Sequence, residues 1–137
     1  MRKIAIIIAE DNSLMRATLR MIIGGIEDAF LAGEASNGEE VIALAKEKTP
    51  DIILMDINMF PVNGFEATRK IIKENPAIKI IGLSMHNKPA YAKNMLQLGA
   101  RGYVSKSSPH NEIIEAIKTV AAGEKYIDKG LKGQVDI

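Results

Sequence analysis

The chain has 137 residues, 47% apolar and 26% charged, which suits one domain with its own core. It has no cysteine, which excludes disulfides and thiolate metal sites, and its 18 basic and 17 acidic residues nearly cancel, which argues against a nucleic-acid or membrane-surface binder. No segment approaches the ~18 consecutive apolar residues of a membrane span. The N-terminal MRKIAIIIAED has an apolar run only from Ile4 to Ala9 before acids follow, shorter than the ~7–15-residue core of a secretory signal. A cytoplasmic location is the expectation.

In chain order, KIAIIIA from Lys3 is the first predicted strand, and Met15, Leu19, Ile22, Ile23 and Ile26 then recur at helical spacing. AFLAGEA from Ala29 is a weaker second strand, followed by Ser36 and Glu39 at capping-box spacing and a short helical stripe of Val41, Leu44 and Ala45. DIILM from Asp51 and IKIIGLS from Ile78 are the third and fourth strands. Asn87 is expected to cap a helix containing Pro89, with a core stripe of Tyr91, Met95 and Leu98 that ends at Gly99. ARGYVS from Ala100 is the fifth strand. Ser108 before Pro109 marks the start of a last helix carrying Ile113, Ile117, Val120 and Ala121, stopped by Gly123.

The order is βα five times, with a strand about every 22–27 residues, close to the length of a parallel crossover unit. The isoleucine-rich first and third runs are continuous rather than alternating, as expected of strands covered on both faces. The second and fifth are predicted to be the edges. The tail, GEKYIDKGLKGQVDI from Gly123, shows little periodicity and reads as a helix end plus a linker, giving a domain over 1–123 and a tail over 124–137.

In an open parallel sheet, ligands gather outside the carboxyl ends of the strands. Glu10 and Asp11 follow the first strand, Asp56 the third, Ser84 the fourth and Lys106 the fifth. Carboxylates brought together resist ionising unless a cation relieves them. Magnesium suits oxygen ligands and keeps waters that phosphate oxygens can replace, and Lys106 supplies a second positive charge. A carboxylate so neutralised, Asp56, can attack phosphorus, a reaction that asks mainly for alignment and charge stabilisation.

These residues stand in IAED (Glu10, Asp11), LMDI (Asp56), Gly64 eight residues later, IIGLS (Ser84) and GYVSK (Tyr103, Lys106). In that order and spacing the chain, from Lys3 to about Gly123, closely resembles the receiver domains of two-component response regulators. The resemblance implies a flavodoxin-like three-layer (βα)5 fold whose parallel sheet has five strands in the order 2-1-3-4-5. It implies phosphoryl transfer to Asp56 from a sensor histidine kinase or phosphotransfer protein, contacting mainly the first helix around Leu14, Met15 and Ala17. It implies Mg2+ held by Glu10, Asp11, Asp56 and the backbone carbonyl of Asn58, and Ser84 with Tyr103 as the switch pair, the ring turning inward as the hydroxyl meets the phosphate.

LSMH and GYVSKSSPHNEIIEAIKTVAAGEKYI resemble most the NarL/FixJ-type subgroup, whose members usually continue into a DNA-binding helix-turn-helix. The expectation is therefore a piece of a transcription regulator rather than a standalone receiver, with DNA contacted only through an output domain absent here. A homodimer is expected through helix 4, strand 5 and helix 5, or through helices 1 and 5. Two departures stand out. Phe60 takes the place where the family commonly has proline, with Pro61 next, which leaves Phe60 open to solvent; and the first acid is Glu10 where many members have aspartate.

Each residue also has a plainer reading. Asp56 alone could cap its loop, and Glu10 or Asp11 could simply favour a helix N-terminus. Ser84 and Lys106 singly are ordinary, Tyr103 could be core, His86 reads as a surface residue, and His110 as part of a first helical turn. The combination carries the weight. A hydrolase of the haloacid dehalogenase type also uses a strand-end aspartate and magnesium, but it needs a second acid where this chain has Asn58. An inert interaction module would not need the intact acids, serine and lysine. Nucleotide-binding readings lack a glycine-rich loop after the first strand.

Overall fold

The structure, a computed structural model, describes residues 3–85 and 88–136. Five strand–helix units follow one another: β1 (Ile4–Ala9), α1 (Ser13–Gly24), β2 (Ala29–Ala35), α2 (Gly38–Lys48), β3 (Ile52–Asp56), α3 (Gly64–Glu74), β4 (Lys79–Ser84), α4 (Pro89–Gln97), β5 (Gly102–Ser105) and α5 (His110–Ala121). Tyr126–Ile127 then forms β6, and Lys129–Leu131 a short 3-10 turn.

All pairings are parallel, in the order β2-β1-β3-β4-β5-β6. Alternation along the strands explains the isoleucine runs. Ile7, Ile53, Met55 and Ile80 face a core shared with Val41, Ala67, Ile71 and Met95 of α2, α3 and α4. Ile6, Ile8, Ile52, Leu54 and Ile81 face the other core, with Leu19 and Ile23 of α1 and Ile113 and Ile117 of α5. Both faces are dry, so both parities are apolar.

The expected five-stranded sheet is corrected to six strands. β6 pairs with β5 through Gly102↔Tyr126 and Tyr103↔Ile127, so β5 is not an edge. Tyr126, Ile127, Leu131 and Val135 are all buried, each contributing on the order of 1.5–3 kcal/mol by burial before its ordering cost. The tail from Gly123, read as a helix end plus a linker, is in fact a strap along the sheet. A two-residue strand is too short to show a period, and the intervening lysines and glycines mask its four apolar anchors.

Two caps also differ. α2 is capped by Asn37, whose side chain accepts the Glu40 amide, while Ser36 donates its amide and hydroxyl to Glu40; the capping arrangement sits one residue later than Ser36 and Glu39. Pro109 precedes α5 with no side-chain cap, and the Ser108 hydroxyl turns instead to Asp128. Gly99 and Gly123 do end their helices, both with left-handed φ. The expectations for His86 and Asn87 lie outside the described residues.

Candidate functional site

Strand register builds the site. β1 pairs with β3 through Ile8↔Leu54 and Ala9↔Met55, so the next step in register sets Glu10 beside Asp56. Ser84 pairs with Ser105 across β4 and β5, and Lys106 follows at once. The chain leaves β1 toward β2 on one side and reaches β3 on the other, so this is the switch point of the sheet, where a crevice forms.

Local bonds then fix each group. The Glu10 side chain accepts the Asn12 amide at 3.0 Å, and its carbonyl accepts from Arg16 Nη1 at 2.8 Å. Asn12 caps α1 by accepting the Met15 amide, which leaves Asp11 exposed at the tip of this loop. Asp56 Oδ1 accepts the Asn58 amide at 3.0 Å. Gly64 explains its own spacing: a Cβ there would overlap the Asp56 carbonyl and the Ile57 Cα, so the loop returns flush against the strand end only with glycine.

Lys106 Nζ lies 2.6 Å from Glu10 Oε1 and 3.1 Å from Asp56 Oδ1, with its side chain only 8% exposed. Oxygens of Glu10, Asp11 and Asp56 all lie within 4.8 Å of one another. Burial pushes the Glu10 carboxyl up to about 7, against the opposing pull of Lys106 and the Asn12 amide. Burial pushes Asp56 up too, but the Asn58 amide, the Lys106 charge and Glu10 outweigh it and hold that carboxyl below its ordinary value. The two carboxyls are thus pushed apart, Glu10 being the one more readily protonated and Asp56 the one more readily ionised.

Asp56 Oδ2 and Glu10 Oε1 are buried without a hydrogen-bond partner. Glu10 Oε1 still has its ion pair with Lys106. Hard oxygen donors in this spacing, with lone pairs unspent, fit a small divalent cation. The buried acidic cluster is thus consistent with a metal site.

Ser84 and Tyr103 are both buried. Burial pushes the Tyr103 phenol up, against the opposing pull of Ser84, and Asn58 Nδ2 lies 3.5 Å from the Ser84 hydroxyl. The ring is thus already inward. Phe60 is 83% exposed, with a cis peptide bond to Pro61. Leu14 at 77% and Met85 at 63% are exposed, and they border a groove of about 380 Å3 that also touches Asn12, Met15, Thr18 and Lys106. The core stripe of α4 is partial: Met95 is buried, while Tyr91 and Leu98 are half-buried.

Two contributors were not legible in the sequence. Arg16 lies on a helix and reads as surface, yet it braces the Glu10 carbonyl and lies 3.4 Å from Glu34. Asp128 lies in the supposed linker, yet it is buried and bonded to the Ser105 amide.

The chain matches the family described as the response regulator receiver domain over residues 6–118. It is 39% identical over 125 residues to the transcriptional regulatory protein DegU of Brevibacillus brevis, covering 91% of this chain and 53% of that protein. It is 35% identical over 132 residues to the response regulator UvrY of Escherichia coli K12, covering 96% of this chain and 61% of that protein. The chain therefore spans little more than half the length of these relatives. Among solved structures, a LuxR-family two-component response regulator from Aurantimonas sp. SI85-9A1 superposes with a TM-score of 0.91 at 32% identity, over 94% of this chain and 92% of that one.

Proposed function

Because the chain belongs to the response regulator receiver domain family, we propose that Asp56 is its phosphoacceptor and that the domain is a phosphorylation-controlled switch. The observation that carries this is the state of Asp56: buried, with its pKa held below the ordinary value, and with Oδ2 accepting no hydrogen bond among the described residues. That oxygen attacks the phosphorus of a phosphohistidine or a small acyl phosphate. A P–O bond forms to Asp56, the bond to the leaving imidazole or carboxylate breaks, and the leaving group departs with the electron pair.

Glu10, Asp11 and Asp56 would hold Mg2+, with the Asn58 carbonyl as a further ligand. When bound, the ion supplies charge neutralisation for the phosphoryl oxygens. Lys106 moves from its pairing with Glu10 and Asp56 toward the incoming phosphoryl oxygens, and the Ser84 hydroxyl donates to one of them. Ser84 and Tyr103, both buried, then report phosphorylation to the β5 side of the sheet. The domain catalyses only its own phosphorylation and dephosphorylation. Asn58 stands where a hydrolase of the dehalogenase type requires an acid, so that reading is not favoured.

The donor is a sensor histidine kinase or phosphotransfer protein, docking along α1; the exposed Leu14 and Met85 beside Lys106 support this. Receiver and strap together would control an attached helix-turn-helix and so transcription; the relative from Brevibacillus brevis is named a transcriptional regulatory protein. Activation would act through a homodimer of the α4-β5-α5 or the α1-α5 face. Among the described residues no helix is long and apolar enough to cross a membrane, and a cytoplasmic site of action follows from a kinase-fed role.

The test is incubation with Mg2+ and acetyl phosphate, borohydride trapping and intact mass. One label per chain at Asp56, absent in Asp56→Asn, is the expected result. A label elsewhere, or none, sinks the assignment.

A further inference from the structure

The strap reaches the site from behind. Asp128 is buried, and its Oδ2 accepts the Ser105 amide at 2.9 Å and the Ser108 hydroxyl at 2.5 Å, while Oδ1 accepts the Gly130 amide at 2.8 Å. Ser105 and Ser108 are the two ends of one tight turn, because the Ser108 amide donates to the Ser105 carbonyl at 3.1 Å. Lys106 is the second residue of that turn, its amide tied to the Ser84 carbonyl at 2.8 Å. The Ser105 hydroxyl is engaged with Ser107. A turn of small polar residues has no apolar side chain of its own to anchor it, so its placement depends on such bonds.

We propose that Asp128 is a positioning residue for the phosphoryl transfer assigned to Asp56: its carboxylate clamps both ends of the Ser105–Ser108 turn and thereby fixes where the Lys106 ammonium stands between Glu10 and Asp56. The inference rests on the phosphoacceptor reading above. A mere staple for the tail would need one bond to the body of the domain, and Glu112 already provides that role by accepting the Tyr126 hydroxyl at 2.9 Å and the Lys129 amide at 2.7 Å. Asp128 instead spends one oxygen on both corners of the turn that carries Lys106. Coupling between two sites is reciprocal, so a Lys106 drawn to a phosphoryl group also changes how the turn, and through it the strap, is held.

The experiment uses the full chain and four variants, Asp128→Ala, Ser108→Ala, Ser108→Thr and Lys129→Ala, read by initial labelling rate with acetyl phosphate and Mg2+, by Mg2+ affinity from calorimetric titration, and by thermal melting. Asp128→Ala is expected to label about tenfold more slowly and Ser108→Ala about threefold, in line with the loss of hydrogen bonds to a charged group. Mg2+ affinity should hold or tighten, because a displaced lysine competes less for the acids. Ser108→Thr should restore the rate, and Lys129→Ala, which loses only the exposed pair with Glu115, should label like the parent chain. Parental rates in both Asp128→Ala and Ser108→Ala overturn the proposal, whatever happens to melting. So does a Ser108→Thr chain as slow as Ser108→Ala, or Mg2+ affinity that falls in step with rate. A parent chain that takes no label removes the phosphoacceptor reading itself, and that is seen before any variant is compared.

Discussion

The domain buries carboxylates at two places at one end of the sheet, and they are finished differently. Around Asp128 the carboxylate spends both oxygens on three neutral donors, the Ser105 and Gly130 amides and the Ser108 hydroxyl. Around Asp56 and Glu10 a single ammonium serves two carboxylates, and Asp56 Oδ2 is left without a hydrogen bond. Buried polar groups are nearly always satisfied. A fully bonded carboxylate is a structural tie, whereas one with unspent lone pairs is set for a metal ion or a reacting phosphorus atom.

The contrast is broken most forcefully at Lys106. Lys106→Ala should cut the labelling rate by about a hundredfold or more, the scale of losing one group that stabilises transition-state charge, while Mg2+ still binds; a rate within a few-fold of the parent chain would mean that the ammonium is only a counter-ion. Next is the wall behind Asp56. Gly64→Ala forces a Cβ against backbone atoms that cannot rotate away, and urea unfolding should register a loss of about 1–3 kcal/mol, the usual penalty of overpacking.

The test that sharpens the comparison is a pH dependence. Glu10 has its carboxyl raised to about 7 from an ordinary 4.5, so without metal the folded state binds the proton more tightly than the unfolded state. Its contribution to stability is fully present below about pH 4.5 and is lost as pH rises through about 7. Melting of the parent chain compared with Glu10→Gln between those limits should isolate this slope. Saturating Mg2+, which needs the ionised carboxylate, should reduce or reverse it, and Mg2+ affinity should climb over the same interval. Equal slopes in parent and variant would show that Glu10 is not the group holding the proton.

Much of this arrangement was legible in the residues. The five strands and the acids, serine and lysine that close them follow from hydrophobic runs and from the rule that ligands gather at the carboxyl ends. Gly64 could be marked by spacing, though its reason, the pressure of the Asp56 carbonyl, needed coordinates. The strap was missed because Tyr126 and Ile127 form too short a strand to show alternation, Leu131 and Val135 stand among lysines and glycines, and the placing of the strap depends on β5, more than twenty residues earlier. Asp128 was missed with them, since an aspartate between an isoleucine and a lysine looks solvated until the Ser105–Ser108 turn is seen against it. Arg16 carried no signal, as its target is a backbone carbonyl.

What the sequence alone determined is local: which stretches are strands, which are helices, and which polar groups end each strand, because backbone periodicity and caps act over a few residues. What only the tertiary structure decided is where charges meet and whether they are satisfied. That Lys106 bridges Glu10 and Asp56, that the Glu10 carboxyl is pushed up while that of Asp56 is held down, and that the tail holds the turn of the lysine all depend on distances between segments far apart in the chain, and on the dry surroundings that make those distances matter.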